Sequence, residues 1–276
     1  ELLDALAGQL PSGADEEWIE ELLAWLPDDY DPAAFSVDEV NQQLLAAPLP
    51  DLAGWHPLIA DLLDRYHGGP LSPLGRLIKD ATTGPTDLND AQVQAAVRRY
   101  QHLLRTIGDG VKLTAAGYLP PRIVHALYLE LGLHQRWIGA GNREDQTLPV
   151  LDLRETATAL GLLRKHNGRL SLTRFATQHL DDPRALLAHI GSRLPLGRPY
   201  ERDAGLVALL QAAVGQPLVD LDQYAGGILL DVGWRVDGAT IEQAARQWTW
   251  PTMSVFEILS ADTADPGLRD TIARSL

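Results

Sequence analysis

Residue types that carry enzyme chemistry occur in this sequence, but their spacing matches no catalytic or metal-binding motif. The chain has no cysteine, which excludes thiolate chemistry and a disulfide scaffold. It contains no Gly-x-Ser-x-Gly elbow, no phosphate-binding glycine loop and no His-Glu-x-x-His motif. His125 and His134 do not share a helix face, and no carboxylate completes a metal site with them. We therefore predict no catalytic residue, no metal and no cofactor, and an enzyme would need a site that only the fold assembles.

Basic residues are concentrated in the middle of the chain. Residues 98–202 contain 16 Lys and Arg against 9 Asp and Glu, a net charge of +7, whereas the whole chain carries −14. Residues 1–51 contain 13 Asp and Glu and no Lys or Arg. Such asymmetry indicates either a surface for a charged partner or an acidic arm that competes for the basic segment. The other interpretation is that acidic helices only keep the protein in solution.

A repeat at an offset of 59 residues predicts the elements that hold the basic residues. Residues 103–114 match residues 162–173 without gaps. Each copy is predicted to run from the end of a helix through a Gly or Asn turn into an alternating strand, with a closing Thr that caps the next helix. This order is typical of the helix and wing of a winged-helix unit. The predicted fold is therefore mainly α, a helical protein with one or two winged-helix-like units bearing short β-hairpin wings.

The winged-helix interpretation identifies basic residues that would contact duplex DNA. In such a unit the helix before the wing enters the major groove, and basic wing residues meet phosphate. Arg154 is expected near the start of that helix, and Arg164, Lys165 and Arg169 flank the turn at Asn167-Gly168. The DNA-binding candidates are Arg154, Arg164, Lys165, His166, Arg169 and Arg174 in the second copy, and Arg98, Arg99, Arg105 and Lys112 in the first.

Local signals predict where several helices begin. Ser72-Pro73 and Asp182-Pro183 are typical helix starts, with a capping side chain before a proline. Asn89 with Gln92, and Asp152 with Glu155, have the spacing of capping boxes. Towards the end of the chain, helices are expected over residues 203–214, 218–230, 240–248, 253–259 and 266–273. The expected core aromatic residues there are Trp234, Trp248, Trp250 and Phe256.

The same signals divide the chain into four regions. Residues 1–50 are predicted to be an acidic helical tail of a domain that precedes the sequence. Residues 51–145 form a helical region with the first winged-helix-like unit, residues 146–200 the second such unit, and residues 201–276 a C-terminal helical region.

Several segments resemble a family of bacterial proteins. The run Asp-Pro-Ala-Ala-Phe-Ser-Val-Asp-Glu-Val-Asn at 31–41, following Trp25-Leu26, resembles the end of the domain of the root-inducing-plasmid ORF-three family. Some members of that family carry a transposon-passenger label of the TnpR type. Residues 112–120, 143–145, 148–151 and 160–164 resemble an extension of its high-GC bacterial members. The resemblance implies that the family's α+β domain would lie before Glu1, and it supplies no catalytic residues.

Three classes of function are compatible with these features. The first is a non-enzymatic protein-interaction or scaffold module, the second a DNA-binding protein that uses residues 98–202, and the third an enzyme.

The sequence contains no run of 18 apolar residues, so no membrane span is predicted. The lack of cysteine fits a reducing compartment, and the predicted location is the cytoplasm. The oligomeric state and the identity of a partner do not follow from the sequence.

Overall fold

The computed structural model describes residues 57–66, 72–135, 137–216, 221–263 and 266–276. These residues belong to one compact unit within residues 52–276. The predicted acidic tail at 1–50 and the family-like run at 31–41 lie outside the described residues.

The described residues are mainly helical, as predicted. The helices are α1 (Pro57–Arg65), α2 (Pro73–Thr82), α3 (Asp90–Ile107), α4 (Pro121–Glu130), α5 (Leu148–Ala159), α6 (Arg174–His179), α7 (Pro183–Arg193), α8 (Pro199–Ala213), α9 (Leu221–Asp231), α10 (Ile241–Ser260) and α11 (Pro266–Ser275). The strands are β1 (Val111–Lys112), β2 (Leu163–His166) and β3 (Arg169–Leu172).

Side-chain caps start several of these helices where the sequence predicts them. The Ser72 hydroxyl accepts a hydrogen bond from the Gly75 amide at 3.0 Å, and Asp182 caps α7 in the same way. Asn89 and Gln92 form a reciprocal capping box at the start of α3. Each cap satisfies an amide that has no partner within its helix.

The capping box predicted for Asp152 and Glu155 is wrong. Helix α5 already begins at Leu148, so both residues lie inside it. Pro149 explains the earlier start, because a proline in the first turn of a helix loses no intrahelical hydrogen bond.

The prediction of two helices separated around Pro251 is also wrong. One helix, α10, runs from Ile241 to Ser260 with Pro251 in its interior. Thr249 and Thr252 on either side of the proline are buried, and α10 packs extensively against α8. This packing offsets the hydrogen bond that the proline removes.

The three strands form one antiparallel sheet in the order β1-β3-β2. Asn167 and Gly168 join β2 to β3 with φ values of 47° and 70°, which suit the tight turn of a hairpin. The sheet combines strands from both copies of the repeat, since Val111 of the first copy pairs with Leu170 of the second. These strands therefore lie side by side and do not form two separate wings.

The second copy of the repeat does not begin with the end of a helix. The first copy does follow the predicted order, from α3 through residues 108–110 into β1. In the second copy α5 ends at Ala159, and Gly161, with φ of 72°, takes the chain out of the helix before β2 begins. Thr173 caps α6 as predicted, whereas Thr114 caps no helix and accepts a hydrogen bond from the Tyr118 amide.

Helix α3 joins the sheet region to the C-terminal helices. It packs against α4, α5, α7 and α10, and its Tyr100 is fully buried and donates to the Thr156 hydroxyl at 3.0 Å.

Phe256 of α10 is buried as predicted, but the prediction that Trp250 lies in the core is wrong, because 52% of it is exposed. Among the described residues, Trp250 shares its side of α10 with exposed Arg246 and Glu257, so the periodicity of this helix outweighs the apolar character of the indole.

Candidate functional site

One face of the three-stranded sheet is lined by basic side chains. Lys112, Arg169 and His166 are cross-strand partners and form one row over β1, β3 and β2. Arg164 lies opposite Ser171 in the next row, and it points to the same side because side chains alternate along a strand. All four basic residues are exposed. We name Lys112, Arg164, His166 and Arg169 the basic sheet face.

The opposite face of the sheet packs against the core. Val111, Leu163 and Leu170 are buried there. Lys165 belongs to this side by register, but it lies on the edge strand β2 and is exposed. Its Nζ atom lies beside the loop between β1 and α4, where a Cβ at Gly117 would be only 3.0 Å away. The buried face fixes the register and so directs the basic sheet face to solvent.

Within the described part of the chain, no side chain of the basic sheet face has a carboxylate at ion-pair distance. Arg169 donates to the Gly110 carbonyl at 3.1 Å, and Arg164 makes a long contact of 3.4 Å with the Ser171 hydroxyl. Like charges opposite one another on a sheet destabilise it, and no local carboxylate offsets that repulsion here. The arrangement therefore suits an anionic ligand or partner.

Three other candidates, all on α3, form ion pairs with acidic residues that lie between or after helices. Arg98 and Arg99 of α3 both contact Asp262, which follows α10, at 2.7 and 2.8 Å. Burial alone would raise the pKa of Asp262, but hydrogen bonds from the two guanidinium groups lower it. Arg105 pairs with Asp181, between α6 and α7, at 2.8 Å. These arginines already have carboxylate partners in the folded chain.

Arg154 has a structural environment that the sequence does not indicate. It lies in the middle of α5, 12% exposed, and its Nε donates to Glu144 at 2.5 Å. The Glu144 side chain is fully buried and also accepts a hydrogen bond from the Leu119 amide at 2.7 Å. The pair therefore connects α5 to the short 3-10 helix Glu144–Gln146 and to the segment before α4, and does not present Arg154 to a ligand. Arg174, the remaining candidate, is exposed at the first residue of α6.

The helix before the hairpin is acidic where a DNA-reading helix would be basic. Glu155 of α5 is exposed, and α5 packs against α10. Burial, together with the nearby carboxylates of Glu155 and Glu257, raises the pKa of Asp152. Burial likewise raises the pKa of Glu257 on α10. Carboxylates at this position oppose the approach of phosphate.

Metal-binding clusters and membrane-spanning helices are both missing from the residues that the structure describes. Among them, no group of three or more His, Asp and Glu could hold a metal ion. Over the same ranges, no helix has both the length and the apolar character needed to cross a membrane.

In comparisons with known proteins, no family model matches the chain, and no curated protein and no solved structure shows significant similarity to it. The resemblance to the root-inducing-plasmid ORF-three family stays a prediction from the sequence.

Proposed function

We propose that this chain is a non-enzymatic protein-interaction module that binds an acidic partner protein through the basic sheet face. The observation that carries the proposal is the exposed row of Lys112, Arg169 and His166, for which the described residues supply no carboxylate partner. Complementary charge on a partner would neutralise this row, speed association and fix the orientation of binding.

The order of the elements supports one winged-helix-like unit as the scaffold of this module. Helix α3, strand β1, helices α4 and α5 and the hairpin β2–β3 follow one another, and β1 completes the sheet beside β3. In this interpretation α5 takes the place of the helix that enters the major groove. Its carboxylates and its packing against α10 favour a protein partner over the reading of base edges.

Strand β2 offers a second element of recognition. It is an outer strand of the sheet, and within the described residues no further strand pairs with its free side. An extended peptide can therefore hydrogen-bond to this edge and add a strand to the sheet. Arg164 and His166 on one face and Lys165 on the other would meet acidic side chains of such a peptide. The positive charges of Arg164 and Lys165 disfavour pairing with the β2 edge of a second copy.

The test is fluorescence anisotropy with a labelled acidic peptide of alternating Glu and Val residues. The variant Lys112→Ala, Arg164→Ala, Arg169→Ala should bind this peptide at least about tenfold more weakly than the intact chain, because it loses three charges of the surface. The matched control is Arg76→Ala, Lys79→Ala, Arg193→Ala, which removes three exposed positive charges elsewhere. Equal affinity of the two triple variants, or no binding by the intact chain at low salt, would overturn the proposal.

Duplex DNA held by phosphate contacts alone is the second candidate, and the same exposed basic row favours it. In that case the logarithm of the association constant should fall linearly as the logarithm of the salt concentration rises. The slope should be about −0.9 for each phosphate contacted. A labelled duplex measured beside the peptide separates the two functions. Salt-sensitive binding of the duplex with no binding of the peptide would replace the first proposal with the second.

A further inference from the structure

A pocket lies on a different part of the molecule from the basic sheet face. Helices α1, α2, α8 and α11 and the segment after α7 surround a volume of about 350 Å³. Its walls are mostly apolar, and the principal side chains are Leu58, Pro195, Leu206, Leu209, Leu210 and Ala273. The volume is at the lower end of the range for small-molecule sites, about 300–1,000 Å³.

Among the described residues that line this apolar pocket, Arg274 is the one with a charged side chain. Its Nε atom is buried, and within the described residues this atom has no hydrogen-bond partner. The guanidinium group lies beside Gly84, where a Cβ would be 3.2 Å from the Arg274 Cζ atom. Arg274 as a whole is half-buried, but its buried Nε donor without an acceptor is unfavourable, and an anionic group in the pocket would relieve that cost.

We propose that this pocket binds a small apolar monocarboxylate, a straight-chain acid of roughly eight to twelve carbons by comparison with the pocket volume. The alkyl chain lies among the leucines of α8, and the carboxylate accepts hydrogen bonds from Arg274. An alkyl alcohol of equal length shares the apolar contacts but not the ion pair, and an alkyl ammonium ion is repelled by the guanidinium group. The pocket shares no residue with the basic sheet face, so its occupancy is tested independently of the proposed function.

The experiment is isothermal titration calorimetry of the intact chain with octanoate, 1-octanol and octylammonium. We expect octanoate to bind at least about tenfold more tightly than 1-octanol, with octylammonium weakest, since only the acid forms the charged hydrogen bond. No binding of octanoate, or equal binding of octanoate and octylammonium, would overturn the proposal.

Two variants test whether Arg274 supplies the positive charge that binds the carboxylate. Arg274→Met should weaken octanoate binding about tenfold and change 1-octanol binding by less than about twofold. Arg269→Met, on the same helix but outside the pocket lining, is the matched control and should leave both affinities unchanged. Unchanged octanoate binding by Arg274→Met would contradict the assignment.

A third variant fills the pocket. Ala213 is buried and lines it, so Ala213→Phe should abolish binding of both octanoate and 1-octanol. Circular dichroism shows whether this variant is folded, and if it is not, the comparison of Arg274→Met with Arg269→Met decides the result. Retained binding by folded Ala213→Phe would place the ligand elsewhere and overturn the proposal.

Discussion

An arginine side chain carries the same charge and donors at every position, so its role depends on the groups within its reach. Arg169 is exposed on β3 and donates to a backbone carbonyl. Arg154 is largely buried and pairs with a fully buried glutamate. Both residues are DNA-binding candidates by sequence, because Arg154 is expected near the start of the recognition helix and Arg169 beside the turn of the wing. The surroundings assign Arg169 to the basic sheet face and Arg154 to the interior.

The Glu144–Arg154 pair leads to a prediction about stability at the scale of single residues. Glu144→Ala removes the acceptor of the Arg154 Nε atom and of the Leu119 amide, and leaves Arg154 only its longer ion pair with Glu155 at 3.6 Å. The change should lower the free energy of unfolding by about 3–5 kcal/mol. Urea denaturation followed by circular dichroism measures the change. Arg143→Ala is the control, because its ion pair with Asp145 is exposed and should contribute less than about 1 kcal/mol. Similar losses in the two variants would contradict a structural role for Glu144.

At the scale of elements, the contact between α5 and α10 brings carboxylates together. Asp152 and Glu155 lie on α5, and Glu257 lies on α10. Burial and the two neighbouring carboxylates disfavour the charged form of Asp152 in the folded chain, which raises its pKa. A carboxyl group whose pKa is higher in the folded than in the unfolded state destabilises the fold at neutral pH. Because the folded state binds more protons, this penalty decreases as the pH falls through the raised pKa.

Asp152→Asn should therefore raise the melting temperature at pH 7, by about 1–2 °C for a chain of this size. The gain should shrink as the pH is lowered into the acid range and vanish below the pKa of the unfolded aspartate. Differential scanning calorimetry over a pH series measures it, with exposed Asp109→Asn as the control. A gain that is constant over that pH range would show that removal of the charge is not its cause.

At the scale of the whole molecule, α8 organises the C-terminal helices. Residues 204–213 of α8 are all buried, and the helix packs against α2, α9, α10 and α11. It approaches α10 closely at Gly205, where an added Cβ would overlap the side chain of Thr252. The Thr252 hydroxyl also accepts a hydrogen bond from the Leu196 amide at 3.0 Å. This contact therefore holds α8, α10 and the segment after α7 in a single arrangement.

Gly205→Ala should destabilise the protein, although alanine usually favours a helix. Overlap with Thr252 should cost about 1–3 kcal/mol of unfolding free energy, more than the helix preference of alanine returns. Chemical denaturation measures the change, and Gly227→Ala in α9 is the matched control, since no atom lies within 4 Å of a Cβ there. Equal or greater stability of Gly205→Ala would contradict the close approach.

The sequence by itself determined the features that depend only on residues close together along the chain. The caps at Ser72, Asn89, Thr173 and Asp182 are local hydrogen bonds, so residue type and spacing suffice to predict them. The mainly helical class follows in the same way from apolar periodicity. The turn at Asn167-Gly168 is also a local signal, because few residue types accept positive φ.

Only the tertiary structure decided which residues meet across the fold. The opening segment of the second copy resembles the end of a helix in the first copy, but its pairing with β3 and the burial of Leu163 place it in strand β2. Likewise, the partners of Arg98, Arg99 and Arg105 lie 76 to 164 residues away along the chain, beyond any local pattern. The pocket around Arg274 is formed by helices that are far apart in sequence. Local preference is a weak determinant, and long-range packing overrides it wherever the two conflict.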